Sequence, residues 1–287
     1  MSVSERCTIV CWLCWLLQRT IDTDRKLGRS KTELGGLTLH WDFALILGVL
    51  AFVVPVLGRR RVRALLQLHD TTKLDRLSIY ASTIAFQWLA AALVLWRAAR
   101  HGITATQLGV NLSHGYLTLT MLIVTSFLFL ANQIASVRRI RSDPAALRSE
   151  TVQLALKIFP RDAIERLSFL ALVATVAICE EFIYRGFVQY VFQDWFRSLL
   201  VRILGSALLF SVAHLYQGKR GLISTFAVGL LFSGVRAWTG SLVPTIAAHF
   251  VADLSIGLLA PSHIREALRQ ASNQQPHEET PQVPAAH

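Results

Sequence analysis

The sequence predicts an all-α fold, a polytopic transmembrane helical bundle of about seven to eight spans. Three observations carry that prediction. Hydrophobic types make up 53% of the 287 residues and charged types only 16%, against roughly a quarter charged in a soluble domain. Mean hydropathy is +0.45, and the apolar residues come in blocks instead of alternating with polar ones. The net charge of +11, from 29 Lys and Arg against 18 Asp and Glu, is confined to short basic runs between those blocks. This is the positive-inside pattern of a multi-pass protein embedded in a lipid bilayer. It argues against an ordinary cytosolic enzyme and against a nucleic-acid partner, which would need the basic residues gathered on one surface.

A span needs about 20 apolar residues, roughly 17 to 25, because a helix rises about 1.5 Å per residue and lipid satisfies no open backbone group. Seven blocks qualify. Residues 42–58 stop at Arg59, Arg60, Arg61 and Arg63; residues 77–96 end at Arg97 and Arg100; residues 116–137 end at Arg138, Arg139 and Arg141. Beyond a polar connection come 167–193, 199–217, 221–237 and 241–260. With the runs 59–63 and 138–141 in the cytoplasm, the spans alternate, and Lys219, Arg220 and the tail after 260 fall on the same side. Trp41, Trp96, Trp195 and Trp238 lie near span ends, where an aromatic belt sits. Gln87, Asn132 and Gln133 suit interhelical hydrogen bonds, and Arg202 and Arg236 are close enough to helix ends to snorkel.

The amino terminus leaves its placement open. Residues 7–17 are apolar but only eleven long. Whether they form an interfacial anchor or part of an eighth span, the basic stretch from Arg19 to Lys31 ends up outside, against the rule. A cleaved signal peptide is disfavoured because no small-residue cleavage site follows. Cys7, Cys11 and Cys14 share one helical face and Cys179 stands alone; packing, with reversible acylation, is favoured over a metal cluster, and no disulfide framework is indicated. The chain divides into a segment 1–41 with a membrane-anchoring helix, transmembrane helices and a connecting loop over 42–164, a core over 165–262 that holds the polar motifs, and a polar tail over 263–287 expected to be disordered.

Ionisable residues inside a span cost about 2.5 to 3.5 kcal/mol each on insertion scales, so they face the bundle interior and usually serve a function. The last third of the chain holds a set of them: Glu180, Glu181 and Arg185 in ICEEFIYRGF, His214 in LLFSVAHLYQG, and His249 with Asp253 in IAAHFVADL. Glu181 and Arg185 are four apart with the acid first, the favourable order for an intrahelical pair. Glu180 is turned about 100° away and must find its own partner, a setting in which a carboxylate can act as general base or acid. His249 and Asp253 project from one face of the last span. One Glu, two His and an Asp on three neighbouring apolar helices can hold water or a metal and polarise a carbonyl.

Taken together, Glu180-Glu181-x-x-x-Arg185, Phe210-x-x-x-His214 and His249-x-x-x-Asp253 resemble the signature of the CAAX-protease and bacteriocin-processing (CPBP) family of intramembrane endopeptidases, which includes the type II CAAX prenyl endopeptidases and the Abi proteins. The resemblance covers about residues 165–260. It implies an integral membrane hydrolase, in a bacterial setting the inner membrane, that cleaves a peptide bond of a membrane-anchored protein or peptide without a covalent intermediate. It further implies that Glu180 and His214 activate water, that His249 and Asp253 stabilise the oxyanion, and that Glu181 and Arg185 give structural support. Asp253 departs from the pattern, since much of the family has Asn there. An ionised Asp would repel an oxyanion, so it is either protonated or, the favoured alternative, it orients and charges His249. No cofactor is required on this reading; a divalent metal such as zinc on Glu180, His214 and His249 is the alternative, without a His-Glu-x-x-His motif to support it. Two other functions compete: a non-catalytic scaffold or immunity protein of the same family, and a proton-coupled transporter, which would need matched broken helices, whereas Pro55 and Pro244 occupy unmatched positions. His214, near the cytoplasmic end of its span, favours access from that side.

Overall fold

The computed structural model describes residues 40–112, 115–142 and 149–273, and every regular element among them is a helix. The expectations for residues 7–17, for Cys7, Cys11 and Cys14, and for residues 274–287 lie outside the described residues. In chain order the helices are α1 (Trp41–Gln67), α2 (Lys73–Arg100), α3 (Gly115–Ser142), α4 (Glu150–Ile158), α5 (Ala163–Phe196), α6 (Leu199–Ala213), α7 (Gly218–Thr239) and α8 (Val243–Asn273). Among the described residues, five helices are long and apolar enough to cross a membrane, and α6 and the Val243–Leu259 part of α8 are shorter apolar helices. Each of the seven expected blocks therefore falls on a helix, one of them, 199–217, only in part.

Local sequence explains where they begin. Thr72 caps α2 in a reciprocal box with Asp75, Asp162 accepts the Glu165 N–H at the start of α5, and Ser198 caps α6; each satisfies a backbone donor that has no helical partner. In α1 the stretch Val49–Val53 is a π-helical bulge just ahead of Pro55. Proline lacks the N–H of a regular turn and crowds the preceding carbonyl, and the wider turn absorbs both.

Helix α5 lies at the centre, with α2, α6 and α8 packed against it, while α3 lies along α8 and α7 along α6. Of its most apolar window 44% is buried, against 11–22% for the other four spans. Those present large apolar side chains outward, such as Phe52, Leu89, Phe127 and Ile223, as lipid-facing helices do. Two apolar clusters flank the middle of α5. One gathers Phe43, Leu50, Val94, Leu108, Tyr184 and Phe187. The other gathers Tyr80, Val137, Val152, Phe159, Phe169 and Ile264.

This second cluster corrects two expectations. The polar connection before α5 contains an amphipathic helix, α4, whose Val152 is buried in the cluster. The tail expected from 263 begins later, because α8 runs on to Asn273; SHIREALRQASN is rich in helix formers, and Ile264 is 1% exposed against the same cluster. The expected span 199–217 is also interrupted, ending as a helix at Ala213 before a 3-10 turn over Leu215–Gln217.

Charged and polar contacts pin both ends of the bundle. At the end carrying the basic run 59–63, Arg76 grips Glu165 through two hydrogen bonds of 2.7 and 3.1 Å, and both side chains are under 5% exposed. Arg76 also donates to the Thr71 carbonyl, and the Arg161 N–H donates to Glu165. Nearby, Lys73 meets Asp162 at 2.7 Å in a half-exposed pair whose hydrogen bond holds the Asp162 carboxyl below its ordinary range. At the opposite end, the segment between α2 and α3 docks on the α7–α8 turn: the Leu242 N–H donates to the Gly109 carbonyl at 2.9 Å and Ser241 Oγ donates to the Asn111 carbonyl at 2.6 Å. Arg236, expected to snorkel, instead lies on this segment and donates to the Gln107 carbonyl. Gly109 makes that possible. Its φ is +81°, and a Cβ there would fall 2.2 Å from Arg236 Nε.

Two stability contrasts follow, both measurable by thermal unfolding in detergent. Glu165→Ala leaves Arg76 buried without its counter-ion and should cost about 3–5 kcal/mol, whereas Lys73→Ala should cost under about 1 kcal/mol. Gly109→Ala should cost about 1–3 kcal/mol for its backbone conformation alone, plus a clash that Arg236→Ala relieves, so the double variant should be more stable than the two losses summed.

Candidate active site

Helix α5 carries the first motif, and it changes winding there. Ala163–Glu180 is α-helical, and Glu181–Val188 is π-helical. A π segment inserts a residue into the turn, so side chains beyond it are rotated relative to a regular helix. From Ile183 to Gln189 every residue is buried, as is Glu181. This stretch is enclosed on all sides by the bundle, which suits a hydrophobic helix without a polar face.

Glu181 and Arg185 are each 0% exposed and pair at 2.9 Å, as their spacing predicts. The guanidinium lies 4.0 Å over the Phe210 ring and 5.4 Å from Phe232, so aromatic faces take part of the place that hydrogen-bond acceptors would fill. The same Glu181 oxygen, Oε1, accepts a 3.0 Å hydrogen bond from His249 Nδ1 on α8. The sequence predicts only helix support from Glu181; the structure adds a direct grip on His249. On its other side His249 Nε2 faces Asp253 Oδ2 at 3.5 Å, with the Asp253 side chain 40% exposed. The imidazole is thus set between two carboxylates, one at hydrogen-bond distance on Nδ1 and one farther away on Nε2.

Glu180 faces a different partner. Its Oε1 accepts a 2.9 Å hydrogen bond from Gln87 Nε2 on α2. Its Oε2 is buried without a hydrogen bond among the described residues and lies 4.0 Å from His214 Nε2. The break after α6 aims His214. Its backbone N–H closes a tight turn on Ser211, and its Nδ1 donates at 2.8 Å to the Phe210 carbonyl, an acceptor that a continuing helix would have used. With Nδ1 committed to that carbonyl, Nε2 is the ring nitrogen that faces Glu180. A gap of 4.0 Å exceeds a direct hydrogen bond and suits a bridging water.

The structure thus brings together all six residues expected from the sequence, as two linked sets: Glu180 with His214, and Arg185, Glu181, His249 and Asp253. Gln87 is the functional neighbour that sequence alone places only as an interhelical hydrogen-bonder; its signal is a polar side chain in the middle of the 77–96 apolar run. Of the alternative metal set Glu180, His214 and His249, the last has its two ring nitrogens 3.0 Å from Glu181 and 3.5 Å from Asp253. Cys179, next to Glu180, is a buried free thiol.

Residues 163–255 match the family described as type II CAAX prenyl endopeptidase Rce1-like, the family that the motifs resemble. The match covers about a third of the chain, from the start of α5 into α8, and includes all six motif residues; Gln87 and helices α1 to α4 lie outside it. No curated protein and no solved structure matches. Its five long apolar helices make the protein an integral membrane protein, and residues 163–255 are similar to the CAAX-protease family.

The two sets should respond differently to mutation. Glu181→Ala strands Arg185 in the core and should cost about 3–5 kcal/mol. Glu180→Gln, which keeps an oxygen for Gln87, should shift the unfolding temperature little. Thermal unfolding of the purified variants in detergent checks both.

Proposed function

We propose that the protein is an intramembrane endopeptidase that hydrolyses a peptide bond of a membrane-anchored protein or peptide with a water activated by Glu180 and His214. The observation that carries this reading is the 4.0 Å gap between Glu180 Oε2 and His214 Nε2, two acceptors facing each other within the bundle. A water between them donates one hydrogen bond to each, which leaves its lone pair for the substrate carbonyl. Glu180 takes a proton as the water oxygen attacks, and Gln87 holds the other carboxylate oxygen so that Oε2 keeps its aim.

Negative charge then develops on the carbonyl oxygen. His249, fixed through Nδ1 by Glu181, presents Nε2–H to that charge, and preorganised donors of this kind supply a large share of catalysis in acyl transfer. Asp253 keeps the imidazole charged and gives way at Nε2 as the substrate oxygen arrives. When the tetrahedral intermediate collapses, the C–N bond breaks, and the proton held by Glu180 passes to the leaving nitrogen. The second water proton stays on the new carboxyl group and passes to the amine on release, so the products are a carboxylate and an ammonium group, with no covalent enzyme intermediate and no cofactor.

The substrate class follows from the surroundings of the site. A site on helices that face lipid meets polypeptides already held at the bilayer, such as lipid-modified carboxyl termini or short membrane-bound peptides.

The decisive experiment incubates candidate membrane-anchored peptides with the protein in liposomes. Glu180→Gln and His214→Ala should each lower the cleavage rate by about 10²–10⁴ while the protein stays folded and membrane-inserted, and a chelator should leave the wild-type rate unchanged. Equal cleavage by wild type and Glu180→Gln would sink the mechanism, and a loss on chelation by protein that stays folded would place a metal in it.

A further inference from the structure

At the end of the bundle away from the basic run 59–63, His40 precedes α1, Asp42 lies in its first turn, and His101 follows α2. Each offers one ligand atom, and these atoms all lie within 4.8 Å of one another. Asp42 is 6% exposed. The His40 and His101 rings are 4.1 Å apart between centroids, and Phe43 packs edge-on against both. Arg97 donates to Asp42 Oδ2 from Nε and Nη2 at 2.9 and 2.6 Å, and His101 Nε2 meets the same oxygen at 2.9 Å.

From this cluster we infer a second site, for a late first-row divalent cation of the zinc type, with His40, Asp42 and His101 as ligands. The charge of Asp42 is already matched by Arg97, so two adjoining imidazoles add little as ion-pair partners. As ligands they are apt. Imidazole nitrogen and one carboxylate are a donor set that zinc accepts, with the fourth position left to water. Arg97 orients the carboxylate from Oδ2, which leaves Oδ1 for the ion, and hydrogen bonds behind a ligand commonly fix its direction in this way. The three side chains come from the two ends of the α1–α2 pair, so a bound ion would clip those ends together and stabilise the fold by mass action. The site shares no residue with the proteolytic constellation and stands or falls independently of it.

The test uses the untagged full chain in detergent, stripped with a chelator and then dialysed against Zn²⁺ with metal analysis. Wild type should hold one more equivalent than His40→Ala or His101→Ala, and Zn²⁺ should raise the unfolding temperature of wild type but of neither variant. His101→Cys, which replaces one zinc ligand with another, should keep the equivalent and give bound Co²⁺ a thiolate charge-transfer band. Zinc content equal in wild type and in both alanine variants would overturn the site. So would an equivalent that is lost in His214→Ala or His249→Ala and kept in the His40 and His101 variants.

Discussion

The structure turns on an ion pair that has nowhere else to go. Arg185 and Glu181 are both fully enclosed in the most buried helix of the bundle, where an unpaired charge would cost several kcal/mol even after relaxation. Arg185 has no reach to water, and its cation is met by one carboxylate oxygen and by the faces of Phe210 and Phe232. Those two rings come from α6 and α7, and His249, on the same carboxylate oxygen, comes from α8. Satisfying one guanidinium therefore fixes the positions of four helices around the site, and the chemistry inherits that rigidity.

The adjacent glutamates show how one helix can assign opposite duties to neighbours. Glu181 sits at the start of the π segment and points into the charge network; Glu180, one residue earlier, points at α2 and at the end of α6. Glu181 takes both Arg185 and His249 on its Oε1, while Glu180 takes the neutral amide of Gln87 on its Oε1 and turns Oε2 toward His214. A buried carboxylate held by a neutral amide can take a proton and return it, whereas one paired with a buried guanidinium holds geometry.

Much of this was legible in the sequence because lipid enforces simple rules. Apolar runs must be helices, so the seven blocks translate directly into elements, and ionisable residues must find each other, so Glu180, Glu181, Arg185, His214, His249 and Asp253 converge. The i, i+4 pairs Glu181–Arg185 and His249–Asp253 depend only on helical spacing and form as expected. What was not legible depends on tertiary contact. The π winding after Glu180, the grip of Glu181 on His249 and the contact from Gln87 arise from how α2, α5 and α8 meet, and no periodicity encodes them. The helix α4 and the extension of α8 past residue 263 looked like polar connection and tail because each packs only a few apolar side chains, Val152 and Ile264 among them.

Helix α6 has a geometric consequence for the lipid around it. Its fifteen residues rise only about 22 Å at 1.5 Å each, short of a hydrocarbon core of about 30 Å. The chain turns back at His214–Gln217, before a full crossing is complete. A bilayer meets such a shortfall by thinning or by letting headgroups and water sink toward the short element. The dent would lie beside the residue that faces Glu180, delivering the hydrolytic water and easing a polar backbone into the site. On the proposed function, membrane thickness would set the rate of turnover: thick, ordered bilayers oppose the dent and slow hydrolysis, and thin ones favour it.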